Sequence, residues 1–214
     1  MTVDSSLESL LPRLDADDVK LGDIKKIAAE IKRDHELAMA LWATERLHPR
    51  LLAVLILDKK LLTQDVIDGL VADLEANETD DRLKIAEWLL ANQLMKSKPT
   101  TRLVESWREA DSPLLRHLFW YHQGRLRWVG QDPPANTTAL LEALETDMEA
   151  AEPEVQWAMN FTAANIGIHD SQHRTRCVEL GERLGLYKDD PVPPNCTPDY
   201  LPDYIRIEVE KLPS

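Results

Sequence analysis

Aromatic and basic side chains alternate over residues 116–128, the segment of this sequence best suited to binding chemistry. Aromatic rings can stack on bases and arginines can bind phosphates, so this mixture indicates a surface for nucleic acid. Phe119 is better explained by packing between helices, whereas Trp120, Tyr121 and Trp128 suit either stacking or packing. The candidate contacts here are Arg116, Trp120, Tyr121, Arg125 and Arg127.

The charge of the chain is unevenly distributed. Its net charge is −13, which by itself opposes binding to a polyanion. Residues 82–127, however, contain nine Lys or Arg and four Asp or Glu, so this segment carries +5 and the remainder carries −18. The basic middle could therefore hold a phosphate backbone. The alternative is that these cations only pair with acidic neighbours.

Several common chemistries have no support in the sequence. There is no Gly-rich phosphate loop, Gly-x-Ser-x-Gly, His-Glu-x-x-His or Cys-x-x-Cys motif. His117 and His122 are five residues apart, a poor spacing for a shared metal on one helix, and His169 and His173 are four apart but have no third ligand nearby. The two cysteines are 19 residues apart and are expected to be reduced thiols. We therefore expect no metal and no cofactor.

The elements that must position these residues are predicted to be helices. Leu, Ala, Glu, Lys and Arg dominate the composition, and apolar residues recur at helical spacing along most of the chain. Helix starts are indicated at Pro49, Thr63, Ser112-Pro113 and Pro153. About ten helices in recurring pairs are typical of an α-solenoid, so the predicted fold is all-α, with HEAT-like helix pairs and a concave face. A plain helical bundle is the alternative.

We predict one helical-repeat domain over residues 1–190, followed by a Pro-rich C-terminal tail at 191–214 that packs on it. No stretch approaches the ~18 uncharged apolar residues that span a bilayer. The start of the chain has neither the basic nor the apolar region of a signal peptide. We therefore expect no membrane association, a cytoplasmic location and a monomer.

Three stretches of the sequence carry a family resemblance. In the first, a glycine-containing turn leads into a helix, and the next helix ends in Leu41-Trp42. The stretches are residues 21–28 with 35–42, residues 50–56, and residues 155–160 with Ile166-Gly167, 196–198 and Tyr204-Ile205. The order and spacing of these stretches resemble those of the DNA alkylation repair family, the AlkD-type glycosylases with HEAT-like repeats. The resemblance covers about residues 19–205.

The resemblance implies a concave cradle for duplex DNA and the removal of positively charged alkylated purines. In that reaction a carboxylate stabilises the oxocarbenium character that develops on the sugar. Aromatic rings pack against the cationic base or its sugar, and arginines hold the flanking phosphates.

The site residues of the family map onto individual positions here. The family has a Trp, three intervening residues and then the catalytic Asp. In this chain Asn77 takes the Trp position and Asp81 the position of the carboxylate, with Asp80 as a neighbouring candidate. Trp157 matches the second aromatic, and Asn160 stands where an Arg normally follows.

Each match also has a purely structural explanation. Asp80 and Asp81 suit the start of a helix, where the helix dipole favours negative charge. Trp157 suits core packing along its helix. Arg116 matches a family arginine near the lesion, but it equally suits a surface ion pair.

The expected function is DNA binding by a helical-repeat protein related to alkylation repair, in its specific form a glycosylase for 3- or 7-methylpurines. Asp81 and Trp157 are the predicted catalytic residues, and duplex DNA is the predicted partner, with no nucleotide cofactor. The alternative is a non-catalytic acidic scaffold that binds a protein or a structured nucleic acid. Two observations motivate that alternative. Asn77 and Asn160 depart from the family pattern, and the chain outside residues 82–127 carries a net charge of −18.

Overall fold

The structure, a computed structural model, describes residues 3–16, 18–76 and 81–212. These residues form twelve α-helices and contain no β-strand. They divide into two compact units, Met1–Glu105 and Ser106–Ser214. In the described ranges no helix is both long and apolar enough to cross a membrane. Nor do those ranges contain a group of three His, Cys, Asp or Glu side chains that could hold a metal ion.

The first unit contains seven helices joined by short loops. They are α1 (Val3–Leu14), α2 (Leu21–Ile31), α3 (His35–Trp42), α4 (Leu47–Ile56), α5 (Gln64–Ala76), α6 (Arg82–Asn92) and α7 (Lys98–Ser106). Side-chain caps begin three of them. The Asp34 carboxylate accepts a hydrogen bond from the Leu37 amide, the Thr63 hydroxyl accepts one from the Val66 amide, and the Ser97 hydroxyl accepts one from the Thr100 amide.

The centre of the first unit is apolar but includes polar groups with specific partners. The buried Arg50 donates to the Trp42 carbonyl at 3.2 Å and lies over the Trp42 ring at 4.9 Å. The Trp42 indole donates to Asp73 at 2.9 Å, and the Gln93 amide donates to the Val54 carbonyl at 2.6 Å. Buried polar groups are tolerated when they are hydrogen-bonded in this way.

The second unit contains five helices, of which α8 and α10 make the most extensive contact. They are α8 (Pro113–Trp128), α9 (Thr137–Asp147), α10 (Pro153–His169), α11 (Arg174–Leu184) and α12 (Leu201–Glu210). Both α8 and α10 begin with a proline. Proline suits the first turn because an N–H at that position would have no acceptor within the helix. The Ser112 hydroxyl also caps α8 by accepting from the Leu115 amide at 3.1 Å.

The C-terminal segment packs onto the second unit through α12. Leu201 and Ile205 are buried. Helix α11 approaches α12 so closely that a Cβ at Gly181 would lie 2.7 Å from the Leu201 Cβ and 2.7 Å from the Pro202 Cδ. A glycine is therefore required at this point of contact. The same contact brings the proline-rich segment before α12 against α10, where the Asn160 side chain donates to the Asp199 carbonyl.

Helix positions agree with the sequence predictions to within a few residues. Helix α4 begins at Leu47, two residues before Pro49, which still lies in the first turn. Helix α9 begins at Thr137, and Asn136 rather than a threonine occupies the cap position. Helix α1 was not predicted. Its buried residues Leu10 and Leu14 are four positions apart, a helical spacing that could have indicated it. The predicted boundary of the helical domain at residue 190 stays a prediction.

His122 on α8 makes the stability of the protein dependent on pH. Its side chain is 1% exposed, and neither ring nitrogen has a hydrogen-bond partner among the described residues. Burial, and to a smaller extent the charge of Arg125, lowers the pKa of His122 to about 4. The unfolded chain therefore binds a proton near the ordinary histidine pKa of about 6.5, while the folded chain does not.

We predict that the free energy of unfolding falls by about 2 kcal/mol from this group alone between about pH 7 and about pH 5. His122→Leu should remove that contribution, because an apolar side chain binds no proton. Urea unfolding of both proteins at the two pH values measures it. Identical pH dependence of the two proteins would show that His122 is not held neutral in the fold.

Candidate nucleic-acid interface

Four rings from α8 and α10 lie close together and nearly parallel. His117 and Tyr121 are one turn apart on α8, and Trp157 and Phe161 are one turn apart on α10, so each pair shares a helix face. Trp157 and Phe161 have centroids 5.7 Å apart at 8°, and Tyr121 and Phe161 have centroids 5.1 Å apart at 25°. His117 and Tyr121 are 5.9 Å apart at 9°. His117 is fully buried, so Tyr121, Trp157 and Phe161 form the accessible part of this aromatic cluster.

Gly124 allows Phe161 to reach this position. A Cβ at Gly124 would lie 2.6 Å from the Phe161 Cδ1 atom, so any other residue there would displace the ring. Beside it, the Thr162 hydroxyl donates to the Trp120 carbonyl at 2.5 Å. The exposed Trp128 meets Phe161 edge-on, with centroids 6.1 Å apart at 83°. The packing of α8 on α10 therefore determines how the rings are presented.

The rings other than His117 border a small opening, here called the aromatic cleft. It has a volume of about 130 Å³, well below the ~300–1,000 Å³ of pockets for drug-sized ligands. A single planar ring system suits that size. The cleft is lined by Tyr121, Trp128, Trp157, Asn160, Phe161, Asp199 and Tyr204.

Asp199 supplies the only carboxylate among the residues that line the aromatic cleft. Its side chain accepts a hydrogen bond from the Trp157 side chain. Burial and, to a smaller extent, the nearby Asp190 raise the pKa of Asp199 above its ordinary value. An anion beside aromatic ring faces is a combination that attracts a flat cation and disfavours a phosphate.

Asn160 contributes a buried acceptor to the same cleft. Only 3% of this residue is exposed, and its Nδ2 donates to the Asp199 carbonyl at 2.8 Å. Its Oδ1 is buried without a hydrogen-bond partner among the described residues. Unsatisfied buried polar atoms are uncommon in native proteins, because each costs about 1–3 kcal/mol. A hydrogen-bond donor on a water or a ligand at Oδ1 would remove this cost.

The predicted phosphate contact Arg116 is held by the protein itself. Its guanidinium donates to the Ala110 carbonyl at 2.6 Å and to the Asp111 carbonyl at 2.8 Å, and it forms an ion pair with Glu152. These bonds correspond to the structural explanation of Arg116. Arg116 also lines a separate cleft of about 330 Å³ in the second unit, so its role toward phosphate stays a prediction.

The other predicted contacts on α8 differ in how accessible they are. Arg127 is 5% exposed and donates to the Gln123 carbonyl at 2.8 Å and the Thr137 hydroxyl at 2.9 Å. Trp120 is buried, as packing requires, while Tyr121 is half-buried and Arg125 is partly exposed. Of the predicted aromatic contacts, the aromatic cleft includes Tyr121 and Trp157 and not Trp120.

The predicted carboxylate Asp81 lies in the first unit, at the position preceding α6. Its carbonyl accepts from the Ile85 amide at 2.9 Å, and its side chain makes no capping hydrogen bond. Asn77 and Asp80 lie outside the described residues. The residues of the aromatic cleft all belong to the second unit.

Cations gather around a further cleft in the first unit, at the start of α7. It has a volume of about 400 Å³ and is bordered by Lys96, Lys98 and Arg102, with Glu105 as its acidic member. No ion pair involves these three cations within the part of the chain that is described. We call Lys96, Lys98 and Arg102 the basic cluster.

Sequence reasoning identified Tyr121, Trp157 and Asn160 but not Phe161, Asp199 or Tyr204. Phe161 follows Trp157 by one helical turn, and this spacing could have indicated it. Asp199 carries no comparable signal, because only the docking of the C-terminal segment brings it to Trp157.

A sequence model of the family described as "DNA alkylation repair enzyme" matches residues 18–184 of this chain. The chain belongs to the DNA alkylation repair enzyme family. The resemblance predicted from the three sequence stretches is therefore confirmed. No functionally curated protein matches this member of the family in sequence.

A solved structure shows the fold of this family member. That structure is described as "a new family of proteins related to the HEAT-like repeat DNA glycosylases with affinity for branched DNA structures". The TM-score is 0.66 at 17% sequence identity, and the match covers 97% of this chain and 88% of that chain. The prediction of an all-helical fold of the HEAT-like type is thus confirmed.

We predict that Arg116→Met lowers the free energy of unfolding by about 1–3 kcal/mol, because two carbonyl groups and Glu152 lose their donor. Arg108→Met is the matched control. Arg108 borders the same cleft, but among the described residues its ion pair is with the exposed Glu109 at 3.0 Å, a kind of pair that contributes about 0–1 kcal/mol. Urea unfolding measures both, and equal effects of the two variants would contradict a structural role for Arg116.

Proposed function

We propose that this protein binds DNA and excises N-alkylated purines from it, with the aromatic cleft holding the cationic base. The observation that carries the proposal is the combination of ring faces from Tyr121, Trp157 and Phe161 with the Asp199 carboxylate in an opening sized for one ring system. Alkylation at N3 or N7 gives a purine a positive charge, which aromatic faces and a carboxylate attract. Membership in the alkylation repair family supports the same substrate class.

The basic cluster is the proposed contact with the DNA backbone. Lys96 and Lys98 are exposed, and they contribute to the net positive charge of residues 82–127. Phosphate contacts provide most of the affinity of such proteins and make it dependent on salt. In this proposal the basic cluster contacts the phosphates, and the aromatic cleft binds the base.

Branched DNA is a proposed substrate besides duplex DNA. The solved structure of similar fold is described as having affinity for branched DNA. In this chain Trp128 is 59% exposed at the border of the aromatic cleft, where it could stack on an unpaired base at a junction. A base that is already unpaired also costs less energy to take out of the helix.

The proposed reaction breaks the bond between C1′ of the sugar and the purine nitrogen. The electron pair of that bond passes to the purine, which leaves as a neutral base. Water then adds to C1′ and loses a proton. A carboxylate near the sugar stabilises the positive charge that develops there, and Asp81 is the residue that the family resemblance assigns to this role.

We predict that binding to duplex DNA weakens steeply with salt and that Lys96→Gln with Lys98→Gln lowers the slope of log K against log salt by about two. Titration of labelled DNA at several salt concentrations measures this. Lys59→Gln with Lys60→Gln is the matched control, because these exposed lysines lie away from the basic cluster on a separate turn. Absence of binding to duplex and branched DNA at low salt would contradict the proposed function and favour a protein-binding scaffold.

We also predict that the full chain releases 3- or 7-methylpurines from alkylated DNA and that Asp81→Asn slows the release at least tenfold without weakening DNA binding, since one electrostatic group typically contributes about a hundredfold or more. Chromatography of the freed bases measures the rate. DNA binding without any release over prolonged incubation would contradict the enzymatic part of the proposal alone.

A further inference from the structure

We propose that Asp199 and Asn160 form a subsite that distinguishes a cationic alkylated purine from an unmodified purine. This inference rests on the proposed function and assigns lesion recognition to a carboxylate from the C-terminal segment. The subsite is formed where the segment before α12 crosses α10, with the Asn160 amide bonded to the Asp199 backbone and the Trp157 side chain bonded to the Asp199 carboxylate.

The charge of the aromatic cleft favours a cation. None of the seven residues that line the cleft is Lys or Arg, so within the cleft no cation neutralises Asp199. A carboxylate has about four acceptor positions, and Trp157 occupies one of them. A neutral purine would remove water from Asp199 without compensating its charge, whereas an alkylated purine brings the compensating charge. Discrimination therefore follows from desolvation as well as attraction.

The Asn160 Oδ1 atom reads a second feature of the base. It is a buried acceptor with no described partner, and its residue lines the same opening as Asp199. Adenine and guanine both carry an exocyclic amino group, which is a donor in the plane of the ring. A purine that lacks this group would leave Oδ1 unsatisfied on binding, which costs affinity. The subsite is therefore suited to an alkylated adenine or guanine.

The role of Asp199 differs physically from that of a carboxylate beside the sugar. During cleavage the positive charge leaves the base and develops on the sugar. A carboxylate that contacts the base thus stabilises the bound cationic substrate, and it loses this interaction as the base becomes neutral. Only groups that act more strongly in the transition state raise the rate. Asp199 consequently contributes to binding and lesion preference, and not to the rate of bond cleavage.

The test compares the full-length protein with its Asp199→Asn variant. Each is bound to two DNAs that differ at one position, which faces a one-nucleotide gap in the other strand and carries either 7-methylguanine or guanine. The affinity ratio of the two DNAs is measured in mildly acidic buffer, in which 7-methylguanine keeps its N1 proton and its positive charge, and the release rate is measured in single turnovers at saturating protein. We expect a wild-type preference of about tenfold for the lesion, typical of one charge-assisted contact, and its loss in Asp199→Asn. The saturated release rate should stay unchanged or rise.

Two controls separate this inference from other effects. Asp190→Asn removes the same charge from an exposed neighbour that does not line the cleft, and it should keep the preference. DNA with 7-methylhypoxanthine, which lacks the exocyclic amino group at C2, should bind wild-type protein several-fold more weakly than 7-methylguanine DNA.

The outcomes for this subsite and for the proposed function are distinguishable. Equal affinity of wild-type protein for both DNAs, or a preference that Asp199→Asn retains, would overturn the inference while DNA binding and base release stand. A fall in the saturated release rate with the preference intact would place Asp199 beside the sugar and would also overturn it. Loss of all DNA binding by wild-type protein would instead contradict the proposed function.

Discussion

The contact between α8 and α10 is the constraint on which the candidate site depends. The two helices approach closely because Gly124 leaves space for the Phe161 ring, and the Thr162 hydroxyl bonds to the Trp120 carbonyl beside it. Two aromatic residues one turn apart on each helix then meet as near-parallel rings. Interiors are closely packed, so a shift of either helix would move the rings and the opening that they border.

The charges of this protein favour two different kinds of chemical group. Lys96, Lys98 and Arg102 gather where phosphate groups would be favoured, and Asp199 lies among aromatic rings where a cation would be favoured. An alkylated base in DNA carries both kinds of charge, because its backbone is anionic and its ring is cationic. A net charge of −13 is therefore compatible with DNA binding when the cations are local.

The departure from the family pattern at Asn160 has a structural consequence. Where the family normally has an arginine, this chain has an amide that bonds to the Asp199 backbone. The asparagine anchors the segment that carries Asp199 and adds no positive charge beside the carboxylate. Arg116 and Arg127 meanwhile bond to carbonyls and hydroxyls of the second unit. Cations that the sequence suggested for DNA thus also stabilise the fold.

The sequence alone indicated the helices, the family and some residues of the candidate site. Apolar spacing and the signals at Ser112, Pro113 and Pro153 are local, because a helix depends on residues within a few positions of each other. The start of α9 shows the limit of such local signals, because the Thr137 hydroxyl accepts from the distant Arg127 and Asn136 takes the cap position.

Tyr121, Trp157 and Asn160 were recognisable from composition and from the family pattern. The position of Asp199 beside Trp157 was decided only by the tertiary structure. It depends on α12 packing against α11 at Gly181, a contact between residues that no local pattern connects. The burial that raises the pKa of Asp199 and the lack of a partner for the Asn160 Oδ1 have the same origin. Burial and hydrogen-bond satisfaction depend on every element packed around a group, so a linear sequence does not display them.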